Sequence, residues 1–193
     1  MPGTPMPLVG VVTSCGSTGL DDSAPDVFWR SDAPAADQAF ANETITVAQA
    51  RSTAVLTIPP GASVTHAFLY WGARATTPDG TVTLDRPGVF TQDLTAIQSF
   101  VGANQSYQSV ADVTELVQAQ GAGAYRVSGV DSVVLANAND NNAYAGWWMV
   151  VLYELATDPL RSLTIYDGLD TVTNGAPQNV TLGGFRVPAV FGA

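Results

Sequence analysis

The sequence predicts an all-β fold: an antiparallel, jelly-roll-like β-sandwich with one short helix near 112–120. Three observations carry that expectation. Short runs rich in Val, Ile, Thr and aromatic residues recur at intervals of roughly 8–15 residues, with Pro, Gly, Asp and Asn between them. The composition has many Thr, Val and Gly but only three Glu and no Lys, which suits strands better than helices. Helical patterns do not alternate with the strands, so a βαβ fold is excluded.

Residues 1–40 read as an irregular N-terminal arm. Pro2, Pro5, Pro7, Pro25 and Pro34 punctuate it, and only Leu8–Thr13 (LVGVVT) has strand character. Phe28-Trp29 is a candidate anchor for this arm. The sandwich is expected over 41–193, beginning at Glu43–Ala48 (ETITVA), where Ile45 and Val47 alternate with Thr44 and Thr46. Thr53–Ile58 is the next strand, stopped by Pro59-Pro60-Gly61. Val64–Trp71 follows. Its alternation places Val64, His66, Phe68 and Tyr70 on one face and Thr65, Ala67, Leu69 and Trp71 on the other. Pro78-Asp79-Gly80 is a turn, because Pro presets φ and Gly accepts positive φ. Thr81–Asp85 is a strand ended by Arg86-Pro87-Gly88.

Weaker strand material lies around Ala96–Val101 and Ser106–Val110. Asp112–Gln120 carries the helix. Asp112 suits the cap, Glu115 stands three residues later, and Val113, Leu116, Val117 and Gln120 share a face before Gly121 and Gly123 stop it. Tyr125–Val127, Ser132–Ala136, Gly146–Leu155, Ser162–Tyr166 and Asn179–Leu182 complete the strands. Gly146–Leu155 (GWWMVVLYEL) is apolar at successive positions, which predicts a central strand covered on both faces.

Charge excludes several functions. All seven basic residues are Arg, Asp outnumbers Glu fourteen to three, and the formal net charge is −10. So acidic a chain has no electrostatic footprint for nucleic acid or for an anionic membrane. Without Lys it has no P-loop, no Schiff-base or kinase-type chemistry, and no Lys-derived isopeptide crosslink. No apolar run approaches the ~18 residues of a membrane span, so no direct membrane insertion is expected. Met1-Pro2-Gly3 lacks the basic and apolar regions of a secretory leader. The lone Cys15 reads as a buried or inert thiol, or as half of a disulfide whose partner lies outside this sequence.

Candidate sites are few. Asn137, Asn139, Asp140, Asn141 and Asn142 form an oxygen-rich run that offers ligands to Ca²⁺, although one carboxylate and several amides make a weak set and also suit a hairpin loop. No other cofactor is expected. Asp21, Asp22 and Asp26 form a second acidic group. Asp167 and Asp170 read as turn residues, and no spacing rule supports a glycosidase pair of Glu154 with Asp167. His66, the only histidine, reads as a packed strand residue and allows no multi-His metal site. Trp71, Trp147, Trp148 and Tyr153 are the candidates for stacking on sugar rings, with one of the adjacent tryptophans assigned to the core because neighbours in a strand face opposite ways.

Three segments, taken in order, resemble a known kind of domain. They are Arg51–Gly72 (RSTAVLTIPPGASVTHAFLYWG), Ala111–Val130 (ADVTELVQAQGAGAYRVSGV) and Ala145–Val172 (AGWWMVVLYELATDPLRSLTIYDGLDTV). The order resembles a module of large secreted bacterial cell-surface proteins, of the kind that carry DUF11-like repeats and C-terminal sorting or anchoring signals. The resemblance implies a non-enzymatic, extracellular, structural or adhesive β-sandwich. Its partners would be other modules of the same protein, other surface proteins, or glycans. It transfers no catalytic residues. It also implies further strands after Thr181–Phe185, and hence a domain incomplete at its C-terminus.

Overall fold

The computed structural model of the chain describes residues 51–86, 88–133, 144–159, 161–170 and 179–184. The expected arm at 1–40, Cys15 and the Glu43–Ala48 strand lie outside the described residues. Eight strands and one α-helix follow in order: β1 Arg51–Leu56, β2 Ser63–Arg74, β3 Thr81–Arg86, β4 Phe90–Thr95, β5 Gln98–Val101, β6 Ser106–Asp112, α1 Thr114–Gln120, β7 Gly123–Ser128 and β8 Ala145–Glu154. They form two four-stranded antiparallel sheets. The first has the order β1-β7-β3-β4 and the second β5-β6-β2-β8. The all-β sandwich with a single short helix is the fold that the sequence predicts.

The core lies between the sheets and follows from alternation along the strands. Ala67, Leu69, Trp71 and Ala73 of β2 are fully buried, as the strand's face pattern predicts. They meet Val82 and Leu84 of β3, Tyr107 and Ala111 of β6, and Tyr125 and Val127 of β7. Val113 and Val117 bring the helix into the same core. Gly72 is required by close approach rather than by backbone conformation. A Cβ placed there would lie 2.5 Å from the carbonyl oxygen of Tyr107 on β6.

The turns use the chemistry that the sequence offers. At Pro59-Pro60-Gly61, Gly61 takes φ +80° and the Ala62 N–H donates to the Pro59 carbonyl at 3.1 Å. Between Val64 and His66 the β2–β8 register shifts, and Thr65 at that bulge donates its hydroxyl to the Leu152 carbonyl at 3.1 Å. The helix starts at Thr114, and Asp112 accepts from the Thr114 N–H at 2.9 Å, so the cap acts one residue ahead of the helix boundary. Thr114 and Gln118 tie the helix to β2, through the backbone of Ala67 and the carbonyl of Val64.

Four strand expectations are corrected. Among the described residues β8 is paired on one side only, with β2, and so lies at the edge of its sheet and not at its centre. The strands closed in on both faces are β2 and β6, where Tyr70 and Val110 are buried on the outer side of the second sheet. Ser162–Tyr166 and Asn179–Leu182 have irregular backbone and exposed side chains. The 161–170 segment sits against the outer side of the second sheet, where Leu169 reaches Gly102 and Asp167 accepts from the Tyr70 hydroxyl at 3.4 Å. Ser132 and Val133 are also irregular, and each bonds the Arg74 carbonyl at the end of β2.

Candidate functional site

The four aromatic residues picked from the sequence do not share a surface. Trp71 is fully buried, and its indole N–H donates to the Asp79 carbonyl at 3.0 Å. It cannot stack on a sugar without the sandwich opening. Trp147 is its cross-strand partner on β8 and packs, partly buried, against the same core. Trp148 points the other way, as strand alternation requires. It is 45% exposed and lies parallel to Tyr70, with ring centroids 5.2 Å apart. Tyr153 holds the core-side position of β8, opposite Val64, yet is 42% exposed. So one of the adjacent tryptophans is in the core, as expected, and of the four Trp148 and Tyr153 reach solvent, on opposite faces of β8.

His66 is exposed on the outer side of β2 and touches the Phe68 ring at a 6.3 Å centroid distance, which corrects the expectation of a packed residue. The register shift at Thr65 places it near the end of the sheet, where no described segment covers it. The Asn137, Asn139, Asp140 and Asn142 calcium set and the Asp21, Asp22 and Asp26 group lie outside the described residues. Glu154 and Asp170 are exposed. Asp167 is engaged with Tyr70, and burial, followed by the Asp167 carboxylate, raises the Tyr70 phenol above its ordinary range.

The polar chemistry that the structure does assemble belongs to the scaffold. Asp79, in the predicted turn, ties four segments together. Its carbonyl accepts from the Trp71 indole and from the Ser109 hydroxyl at 2.7 Å, and its carboxylate accepts from the N–H groups of Thr81 and Asp131. Arg86 is buried at the end of β3, donating to the carbonyls of Ala124, Gln120 and Ala122. Its guanidinium lies 4.7 Å from the Tyr125 ring centroid and 5.9 Å from that of Phe90. The helix ends at Gln120, so the cation also meets the negative end of the helix. Arg126 of β7 forms a two-pronged pair with Asp85 of β3, both contacts at 2.6 Å. Burial raises the Tyr125 phenol, with Arg86 opposing. Burial, then the carboxylates of Asp79 and Asp131, pushes Tyr107 well above its usual range.

Sequence reasoning missed the Arg86 cage. The residue stands next to Pro87-Gly88 and reads as turn material. The available signal was scarcity: in a chain with seven cations, an Arg closing an apolar strand is a candidate for burial.

An apolar concave feature lies where the two sheets end side by side. Ala54, Val55 and Leu56 of β1, Tyr125 of β7, and Trp147, Trp148 and Met149 of β8 line a cleft of about 270 Å³. Its lining is chiefly apolar and carries no ionisable group other than the Tyr125 phenol. Such a cleft can take an apolar side chain or extended backbone, and it provides no acid–base pair. Comparison of the chain with protein-family models, with curated proteins and with solved structures finds no match. Among the described residues no helix is long and apolar enough to cross a membrane.

Proposed function

We propose that the chain is a non-enzymatic structural or adhesive module of a secreted bacterial cell-surface protein, working by contact with other modules or proteins. The supporting observation is the division of labour just described. The buried charged and polar groups are spent on bracing the sandwich, while the apolar β1–β8 side is left open for contact. The low-charge, Thr- and Asp-rich composition and the order of the three resembling segments agree with this reading. The test is protease shaving of intact producing cells followed by peptide mass spectrometry. Peptides from 51–170 released before lysis are the expected result. Their appearance only after lysis overturns the extracellular reading.

A second reading is a carbohydrate-binding module, calcium-assisted through Asn137, Asn139, Asp140 and Asn142. Trp148 favours it, as an open indole face held flat by Tyr70. A glycan array with and without Ca²⁺ tests it. Binding abolished by Trp148→Ala supports the reading, and an array blank under both conditions removes it.

A further inference from the structure

We propose that the outer edge of β8, which no described strand pairs, is a homotypic interface, on which a second copy of this chain pairs its own β8, antiparallel, about a two-fold axis at Val150. The inference is independent of where the protein resides. Among the described residues no strand pairs with the outer edge of β8. The ten residues Ala145–Glu154 contain no Pro, and their only charge is the final Glu154. An edge of this length, without Lys, Pro or a central charge, is a template for another strand.

The sequence of β8 is self-complementary in one register. Directly opposed residues of an antiparallel pair share a face, so a two-fold axis must place residues of the same parity opposite each other. With the axis at Val150, Met149 meets the partner's Val151, Trp148 meets the partner's Leu152, and Trp147 meets the partner's Tyr153. Glu154 meets the partner's Gly146. Every opposed position from Trp147 to Tyr153 is then apolar against apolar. The two Glu154 carboxylates stand eight residues apart along the ribbon, about 27 Å at about 3.4 Å per residue, beyond the screening length of physiological salt. Moving the axis to Val151 sets Glu154 against Trp148, and moving it to Met149 sets Tyr153 against Ala145. Both neighbours are poorer.

The same register answers two features of the single chain. Tyr153 occupies a core-side position but is 42% exposed, and the cleft beside Trp147 and Met149 is open. Pairing at Val150 lays each Tyr153 beside the other copy's Trp147 on the core side, so each copy supplies an aromatic cover for the other. Because each chain carries a net charge of −10, the copies repel at long range. Association is therefore expected to strengthen as salt rises, the reverse of an interface built on ion pairs.

The test uses the full chain in sedimentation equilibrium at increasing protein and NaCl concentrations. A species of twice the chain mass that grows with both is the expected result. A monomer throughout, as when another part of the chain covers the edge, overturns the proposal. Val150→Lys should give a monomer with an unchanged thermal melt, whereas a dimer that persists overturns the interface. Should that variant fold poorly, Val150→Cys in a Cys15→Ser background replaces it. Opposed Cα atoms in an antiparallel pair lie about 4.5–5.5 Å apart, within disulfide reach. Mild oxidation should crosslink Val150→Cys and leave Thr91→Cys, on the exposed edge strand β4, uncrosslinked. Equal crosslinking at both positions overturns the proposal.

Discussion

The two long sides of this sandwich are finished in opposite ways. On one side the chain steps from β4 in the first sheet to β5 in the second through Ala96 and Ile97 alone. The N–H groups of those two residues donate to the carbonyls of Gly80 and Val110, both at 2.8 Å. That side is sewn shut by backbone. On the other side, among the described residues, β1 and β8 both end as edges, and between them lies the apolar cleft. The closed side mixes Thr91, Gln92, Asp93 and Ser99 with Phe90, Leu94 and Phe100, while the open side holds Trp147, Trp148, Met149 and Val55. Richness in apolar residues therefore does not mark the middle of a sheet. Here it marks the margin where contact is unfinished.

The tryptophans give the largest way to break this contrast. Trp71→Ala removes a fully buried side chain and its hydrogen bond, and should cost ~3–5 kcal/mol in denaturant unfolding. Trp147→Ala should cost less. Trp148→Ala should stay within ~1 kcal/mol, because its ring is half exposed. A Trp148 variant as damaging as Trp71→Ala would mean that the β8 edge is closed after all.

Next in size is Arg86→Leu. It leaves the carbonyls of Ala124, Gln120 and Ala122 without their donor, and should cost about 2–4 kcal/mol by the same measurement. A neutral outcome would show that the cage is packing alone. Gly72→Ala drives a Cβ into the Tyr107 carbonyl and should cost about 1–3 kcal/mol, locating the tight seam between β2 and β6.

The smallest effect concerns pH. Tyr107, Tyr70 and Tyr125 all have raised phenol pKa values, with burial as the first cause. The stability that this brings is fully present below the unfolded value of about 10, and is lost as pH climbs from there towards the raised folded values. In a pH series of melts the tyrosines should show as a fall on that alkaline limb. Tyr107→Phe should flatten the fall and cost ~1 kcal/mol at neutral pH through its lost bond to Asp131. A melt curve of unchanged slope would show that Tyr107 is not buried as described.

How far the sequence could be read depended on whether a segment's own pattern decides its environment. β2 was legible because Ala67, Leu69 and Trp71 alternate with the residues that face outward. The helix was legible because Asp112 and Gly121 mark its ends. β4 was missed because Phe90–Thr95 has only Phe90 and Leu94 as apolar positions, and pairing with β3 defines it instead. Ser162–Tyr166 carries the alternation of a strand without a partner, and the chain there lies across a sheet face. The candidate site was less legible than the fold. Which of Trp71, Trp147, Trp148 and Tyr153 meets solvent depends on sheet order, and sheet order is set by partners far away in sequence.

That distance has a consequence for the birth of the molecule. β2, the strand that contributes most to the core, is flanked by β6 and β8, and the pairing of Ser63 with Glu154 closes one of the widest loops in the fold. β1 likewise waits for β7. On a ribosome-tethered chain the first sheet cannot be completed until β7 has emerged, nor the second until β8 has, so both sheets wait for strands made late in the described chain. With a strong mutual repulsion among its carboxylates and no lysine to offset it, the unfinished chain carries its own means of remaining apart.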